Sequence, residues 1–177
     1  MERRQGKIIV GTSGGTASKN SKTYKISLPS SWVNKMMADG SREVELSFDG
    51  GSIIVSASIL PSEYAERKLS MNHQVYKISY YDADKLCTLI YADFTDKTVK
   101  HENYTDNIIK TAFGTNKLPT WDDFQYFLKE RCISADRAGL REYLGTIGLY
   151  EYEPFEIVKR TQGRMAEDKQ WLTIEKM

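Results

Sequence analysis

The 177 residues, 40% hydrophobic and 28% charged with a formal net charge of +1, have the composition of an ordinary globular chain with room for one or two domains. No apolar run approaches bilayer length, and Glu2-Arg3-Arg4-Gln5 leads into a strand rather than the apolar core of a signal peptide, so a cytosolic protein is expected. Cys87 and Cys132 lie far apart with no Cys or His at ligand spacing, which argues against a disulfide framework or zinc site and for buried thiols.

The charge is unevenly placed. Up to Gly40, seven basic residues (Arg3, Arg4, Lys7, Lys19, Lys22, Lys25, Lys35) stand against Glu2 and Asp39, a net of +5 that leaves −4 for the remainder. Doubled in a dimer, this is the electrostatic footprint of a phosphate-backbone binder, although scattered lysines also serve to keep a surface soluble.

A short strand is expected at residues 7–10, followed by VGTSGGTASKNSK, a Gly/Ser/Thr/Lys-rich stretch. It lacks the GxxxxGK[ST] spacing and following helix of a phosphate-binding loop, and reads as a flexible basic loop. Residues 24–28 alternate, with Tyr24, Ile26 and Leu28 on one face; Pro29 ends the strand and Ser30-Ser31 cap a helix through Trp32, Val33 and Met36. Asp39-Gly40 stops it. Val44, Leu46 and Phe48 alternate with polar residues, Asp49-Gly50-Gly51 turns the chain, and Ile53-Ile54-Val55 returns as the second arm of a hairpin. So small a unit buries little apolar surface alone. Ile26, Leu28, Trp32, Val44, Leu46, Ile53 and Val55 are therefore expected to form a core shared between two chains.

The succession of strand, "SLP", Trp-bearing helical turn and "DGSREVELSFDGGSIIV" resembles the swapped-hairpin domain of the AbrB, MazE and SpoVT transcription regulators. The resemblance implies homodimers built by exchanging hairpins and binding double-stranded DNA through basic residues of the first strand and its loops. Lys25 matches the basic position shortly before the proline; Arg3, Arg4, Lys7, Lys19 and Lys22 join it by charge and position. Ser27 stands where MazE-type proteins carry an arginine, and the loop before the "SLP" strand is longer than usual.

Residues 58–72 read as a connector, with about two helical turns opened by Pro61. Strand-like runs at 75–80, 86–91 and 97–101 then suggest a β-meander. Three short helices are expected after it: one capped by Thr120 with Trp121, Phe124, Phe127 and Leu128 on one face, one capped by Ser134 with Leu140, Leu144 and Ile147, and one opened by Pro154 and closed by Gly163. The tail 164–172 mixes charge with an exposed Trp171. Here "ERCISADRAGLREYLGTIGL" followed by "KRTQGRMAEDKQWLTI" resembles the small N-terminal subdomain of HipA-like kinases. That likeness assigns Arg131, Arg137, Leu140, Gly163, Asp168 and Trp171 to fold-defining or partner-contacting positions.

No Gly-rich phosphate loop, catalytic H-R-D segment or metal-binding D-F-G segment is present, so the chain is not expected to be a kinase. His73 and His101 fall outside any HExxH or Cys-His-Asn order and read as surface residues; Asp122-Asp123 reads as a helix N-terminal charge and Glu167-Asp168 as solvated tail. The expected architecture is α+β, a swapped-hairpin β-barrel dimer (residues 1–57), the connector, and a small meander-plus-helices domain (73–177). The expected function, without cofactor or metal, is a homodimeric DNA-binding regulator, antitoxin and autorepressor of a toxin–antitoxin-like pair, with a HipA-like kinase as a candidate partner. The competing expectation is an interaction module that dimerises through its hairpins and binds protein through Trp171, Tyr150 and Tyr152.

Overall fold

Alternation at the front of the chain produces two antiparallel hairpins. The computed structural model describes residues 2–12, 22–37, 44–48 and 50–177, and the α+β chain divides into two units, Met1–Ser58 and Ile59–Met177. In the first, β1 (Ile8–Thr12) pairs with β2 (Lys22–Ile26), and β3 (Val44–Phe48) pairs with β4 (Ile53–Ala57). The second strand thus ends two residues earlier than expected, leaving Leu28 beyond the ladder. Helix α1 (Ser30–Met36) follows Pro29, but no serine caps it. Pro29 takes the N-cap position with extended backbone, and its carbonyl accepts from the N–H groups of Trp32 and Val33 at 3.0 and 3.1 Å. The Asp39-Gly40 stop, the Asp49 part of the turn and Lys19 lie outside the described residues.

The second unit has a four-stranded antiparallel sheet in the order β7-β6-β5-β8, where β5 is Val75–Asp82, β6 Lys85–Asp93, β7 Thr98–Asn103 and β8 Gln170–Lys176. The expected meander is its first three strands. The fourth comes from the segment expected to be a solvated tail: Leu172 and Ile174 stand opposite Tyr80 and Ile78, and Leu172 is almost fully buried. Its flanking charges mask a period-two pattern only a few residues long.

Three helices, α3 (Trp121–Glu130), α4 (Leu140–Thr146) and α5 (Pro154–Thr161), contribute to the main core with the Tyr76, Ile78, Tyr80 face of β5. Thr120 closes a reciprocal capping box with Asp123, as its sequence signature suggests. Ser134 does not cap α4; Gly139, at φ 78°, occupies that position. Helix α2 (Pro61–Ser70) buries Tyr64 and Ala65 against Val75 and Tyr91, residues that alternate to the opposite sheet face. The Tyr64 hydroxyl also lies 2.6 Å from Thr98 Oγ1. The stretch expected to be a connector is therefore a packed layer of the second unit.

Both cysteines are buried and free, and burial pushes the Cys132 thiol up to about 12, out of reach of thiolate chemistry at neutral pH. Among the described residues no helix is long and apolar enough to cross a membrane.

Candidate nucleic-acid interface and partner-face residues

The hairpin registers decide which side chains share a face. Ile8 lies opposite Ile26 and Val10 opposite Tyr24, giving one apolar face; Ile9 opposite Lys25 and Gly11 opposite Thr23 form the other. In the second hairpin Val44, Leu46 and Phe48 oppose Ala57, Val55 and Ile53, so one face is apolar at every position. These faces are uncovered: Tyr24 is 68%, Leu46 63%, and Phe48 and Ile53 each 70% exposed, and no described residue of this unit is buried. Ile26, Leu28 and Val44 are exposed too, while Trp32 and Val55 are half-buried.

The basic residues flank these faces. Lys22, opposite Thr12, lies on the Ile8/Tyr24 side of its hairpin and Lys25 on the reverse side; Arg3, Lys7 and both strand lysines are exposed. Arg4 is partly engaged. Its guanidinium carbon lies 5.7 Å from the centre of the Trp32 ring, and the indole N–H of Trp32 donates to Glu2 at 2.6 Å. This unit brings together cationic and apolar side chains, the equipment for binding phosphates and for association.

The four residues expected to contact a partner separate into two groups. Arg131, at the end of α3, is buried, and all five of its N–H donors are occupied. Nε donates to the Gly163 carbonyl at 3.0 Å, Nη1 to Asp168 at 2.6 Å and Gln170 Oε1 at 3.3 Å, and Nη2 to Asp168 at 3.0 Å and the Gln170 carbonyl at 2.9 Å. Arg131 therefore ties α3 to the turn after α5 and to the start of β8. Its guanidinium holds the Asp168 carboxyl below the ordinary carboxylate range, so Asp168 is exposed, as expected, but is also a paired ion. Gly163, at φ 58°, sits so close that an added Cβ would meet Leu172 Cδ1 at 2.5 Å and Arg131 Cβ at 3.1 Å. Trp171 is no free anchor either. Its ring stacks on Tyr81 at 4.6 Å, Arg164 covers it at 4.7 Å, and its N–H donates to the Ala83 carbonyl at 2.6 Å. Tyr152 is half-buried with its hydroxyl donating to the Ile133 carbonyl at 2.8 Å, whereas Arg137 and Tyr150 are exposed.

A second ionic cluster has no counterpart in the sequence expectations. Asp93, at the end of β6, is fully buried; Oδ2 lies 2.8 Å from His73 Nδ1 and 3.0 Å from Lys68 Nζ, and Oδ1 accepts the Thr95 N–H at 2.9 Å. Lys68 also reaches Asp96 at 2.5 Å. His73, Asp93 and Asp96 lie close enough to hold a cation, but the Lys68 ammonium bridges the two carboxylates and supplies that charge. The cluster pins α2 to the sheet. His73 is thus half-buried rather than a surface residue, as is His101, whose ring meets Phe113 edge-on at 5.0 Å and whose pKa burial lowers. A contact between residues 20 or more positions apart leaves no local signature; only the turn following β6 hints at Asp93.

Comparison of the chain with protein-family models, with curated proteins and with solved structures returns no match.

Proposed function

We propose that the chain is a homodimeric DNA-binding transcriptional regulator, the antitoxin and autorepressor of a toxin–antitoxin-like pair, whose second unit docks a partner protein such as a HipA-like kinase. The carrying observation is the pair of amphipathic hairpins with uncovered apolar faces beside a cluster of basic residues. A lone two-stranded hairpin is marginal in water, and burying one Leu, Ile or Phe side chain contributes about 1.5–3 kcal/mol. A second copy supplying the same faces, with hairpins exchanged into a closed barrel, would turn several such exposed residues into a core. The dimer then doubles the local positive charge, and its two-fold axis matches a palindromic or pseudo-palindromic site. No catalytic step and no cofactor enter this role, which suits the cytoplasm.

Fluorescence anisotropy against DNA from just upstream of the gene, titrated with salt beside an unrelated duplex, tests it. Selective binding with a steep salt slope is expected. Lys22→Gln with Lys25→Gln removes four charges per dimer and should flatten the slope of log K against log salt by roughly 3 to 4. Unchanged affinity and slope would remove these lysines from the interface. Leu46→Glu places a charge in the shared core. Sedimentation equilibrium should show a dimer becoming monomeric, with DNA binding lost; a wild-type monomer that still binds selectively would sink the dimer.

Exposed apolar residues in the second unit, Tyr150 at 98% and Ile109 at 84%, favour a second reading in which the hairpins only assemble the protein and the function is inhibition of a partner. Weak, equal binding to both duplexes would favour it.

A further inference from the structure

We propose that the cleft beside the Arg131 cluster binds a short cationic–apolar segment of a partner protein, with Glu130 and Glu167 receiving its Lys or Arg and Ile109 and Tyr126 receiving its apolar side chain. The cleft has a volume of about 680 Å³, within the usual range for ligand-binding sites, and is formed by β5, the segment after β7, α3 and the turn leading into β8. Buried Tyr80 and Phe127 lie at its base.

Its charge selects the occupant. The lining carries Asp123, Glu130, Glu167 and Asp168 against a single cation, Arg131. Arg131 has no donor left for an anionic ligand, because all five N–H groups are occupied within the unit. Asp168 is paired with it, and Asp123 accepts from the Thr120 N–H at 2.7 Å and hydroxyl at 2.8 Å. Glu130 and Glu167 differ: both are exposed, and neither makes a hydrogen bond or ion pair among the described residues. A phosphate or nucleic acid approaching this cleft meets net negative charge and no available donor on Arg131, whereas a Lys or Arg meets two carboxylates without a direct hydrogen-bond or ion-pair partner, Glu167 feeling Arg131 only at a distance.

Apolar anchoring comes from the same walls. Ile109 is 84% exposed and Tyr126 65% exposed, large side chains left in water at a concave surface. Burying such residues in a central pocket is how a few contacts carry most of an interface's energy. The two requirements together describe a peptide with a basic residue beside a bulky apolar one rather than a simple polyamine. This inference rests on the partner-binding part of the function proposed above and is independent of its DNA-binding part.

The test is selection of a displayed random heptapeptide library on the full-length protein. Enriched sequences should place Arg or Lys next to a large apolar residue, and their affinity should fall about tenfold or more in Glu130→Gln/Glu167→Gln and on raising salt. Both glutamates are exposed and unbonded, so the fold is retained. Glu130→Lys/Glu167→Lys should exchange the preference for acidic peptides. No enrichment, an acidic consensus on the wild type, protection of the cleft by an oligonucleotide, or peptides indifferent to the double variant would overturn the proposal. Operator binding by the wild-type protein separates the two claims: no peptide enrichment beside selective DNA binding overturns the cleft alone, and peptide enrichment beside weak, unselective DNA binding overturns the regulator alone.

Discussion

Arg131→Ala is expected to cost the second unit about 2–3 kcal/mol, less than for a fully buried ion pair because Arg131 is buried but its partner Asp168 is exposed to solvent. The substitution withdraws five donors at once. Asp168 keeps its charge without its counter-ion, and the Gly163 and Gln170 carbonyls lose their guanidinium contacts at the meeting of α3, the α5 turn and β8. Arg131→Lys separates charge from geometry. An ammonium has three donors on a flexible stem and cannot reproduce a planar fork reaching five acceptor atoms on three residues, so it should recover less than half of the loss. Urea unfolding followed by tryptophan fluorescence checks both variants, since Trp171 lies beside the cluster. A lysine variant as stable as the wild type would mean that charge alone, not the fork, holds these segments.

Asp93→Asn is the second large effect, at about 3 kcal/mol near neutral pH by the same reasoning, with a pH signature of its own. Burial alone would raise the Asp93 pKa. Hydrogen bonds from His73 and Lys68, and then from the Thr95 and Asp96 N–H groups, outweigh it and leave the value below the ordinary carboxylate range. Because the folded value is the lower one, its contribution is complete above the unfolded pKa of about 4 and is lost as pH falls through the folded value. The wild type should therefore lose urea resistance below about pH 4. The variant should start lower and decline less steeply, retaining the similar limbs from Asp168 and Asp123. Parallel acid limbs in the two proteins would exclude Asp93 as the group responsible. The same substitution should loosen α2, because Lys68 and His73 would lose their shared carboxylate.

Much of the local architecture was legible along the chain. The alternation at 44–48 and 53–55, the three meander strands and the Thr120 box each express a preference satisfied within a few residues, and each appears close to its expected position. Strand β8 was hidden because charged residues before and after it obscure a short alternation. It is a strand because β5 offers it an unpaired edge and the core accepts Leu172. Residues 58–72 look like a connector for the same reason: only Tyr64 and Ala65 of α2 are buried, too little apolar surface to announce a packed helix. The partner-face residues were singled out with their roles unresolved. Arg131, Gly163 and Asp168 prove to be neighbours in one hydrogen-bonded cluster, and Trp171 packs within the unit, leaving Arg137 as the exposed member outside that cluster, whereas Asp168 is exposed but paired.

The sequence by itself determined the periodicities, the turns, the basic bias of the first 40 residues and the presence of more apolar hairpin surface than so small a unit can bury alone. These depend on neighbours within a turn or a strand, so local order suffices to read them. Only the tertiary structure decided that Arg131 meets Asp168 across 37 residues, that Asp93 gathers His73 from 20 positions away and Lys68 from the helix before it, and that Glu130 and Glu167 line one cleft. Those contacts are set by how the helices and the last strand pack on the sheet, and a charge in a sequence carries no mark of whether packing will bury and pair it or leave it facing a groove.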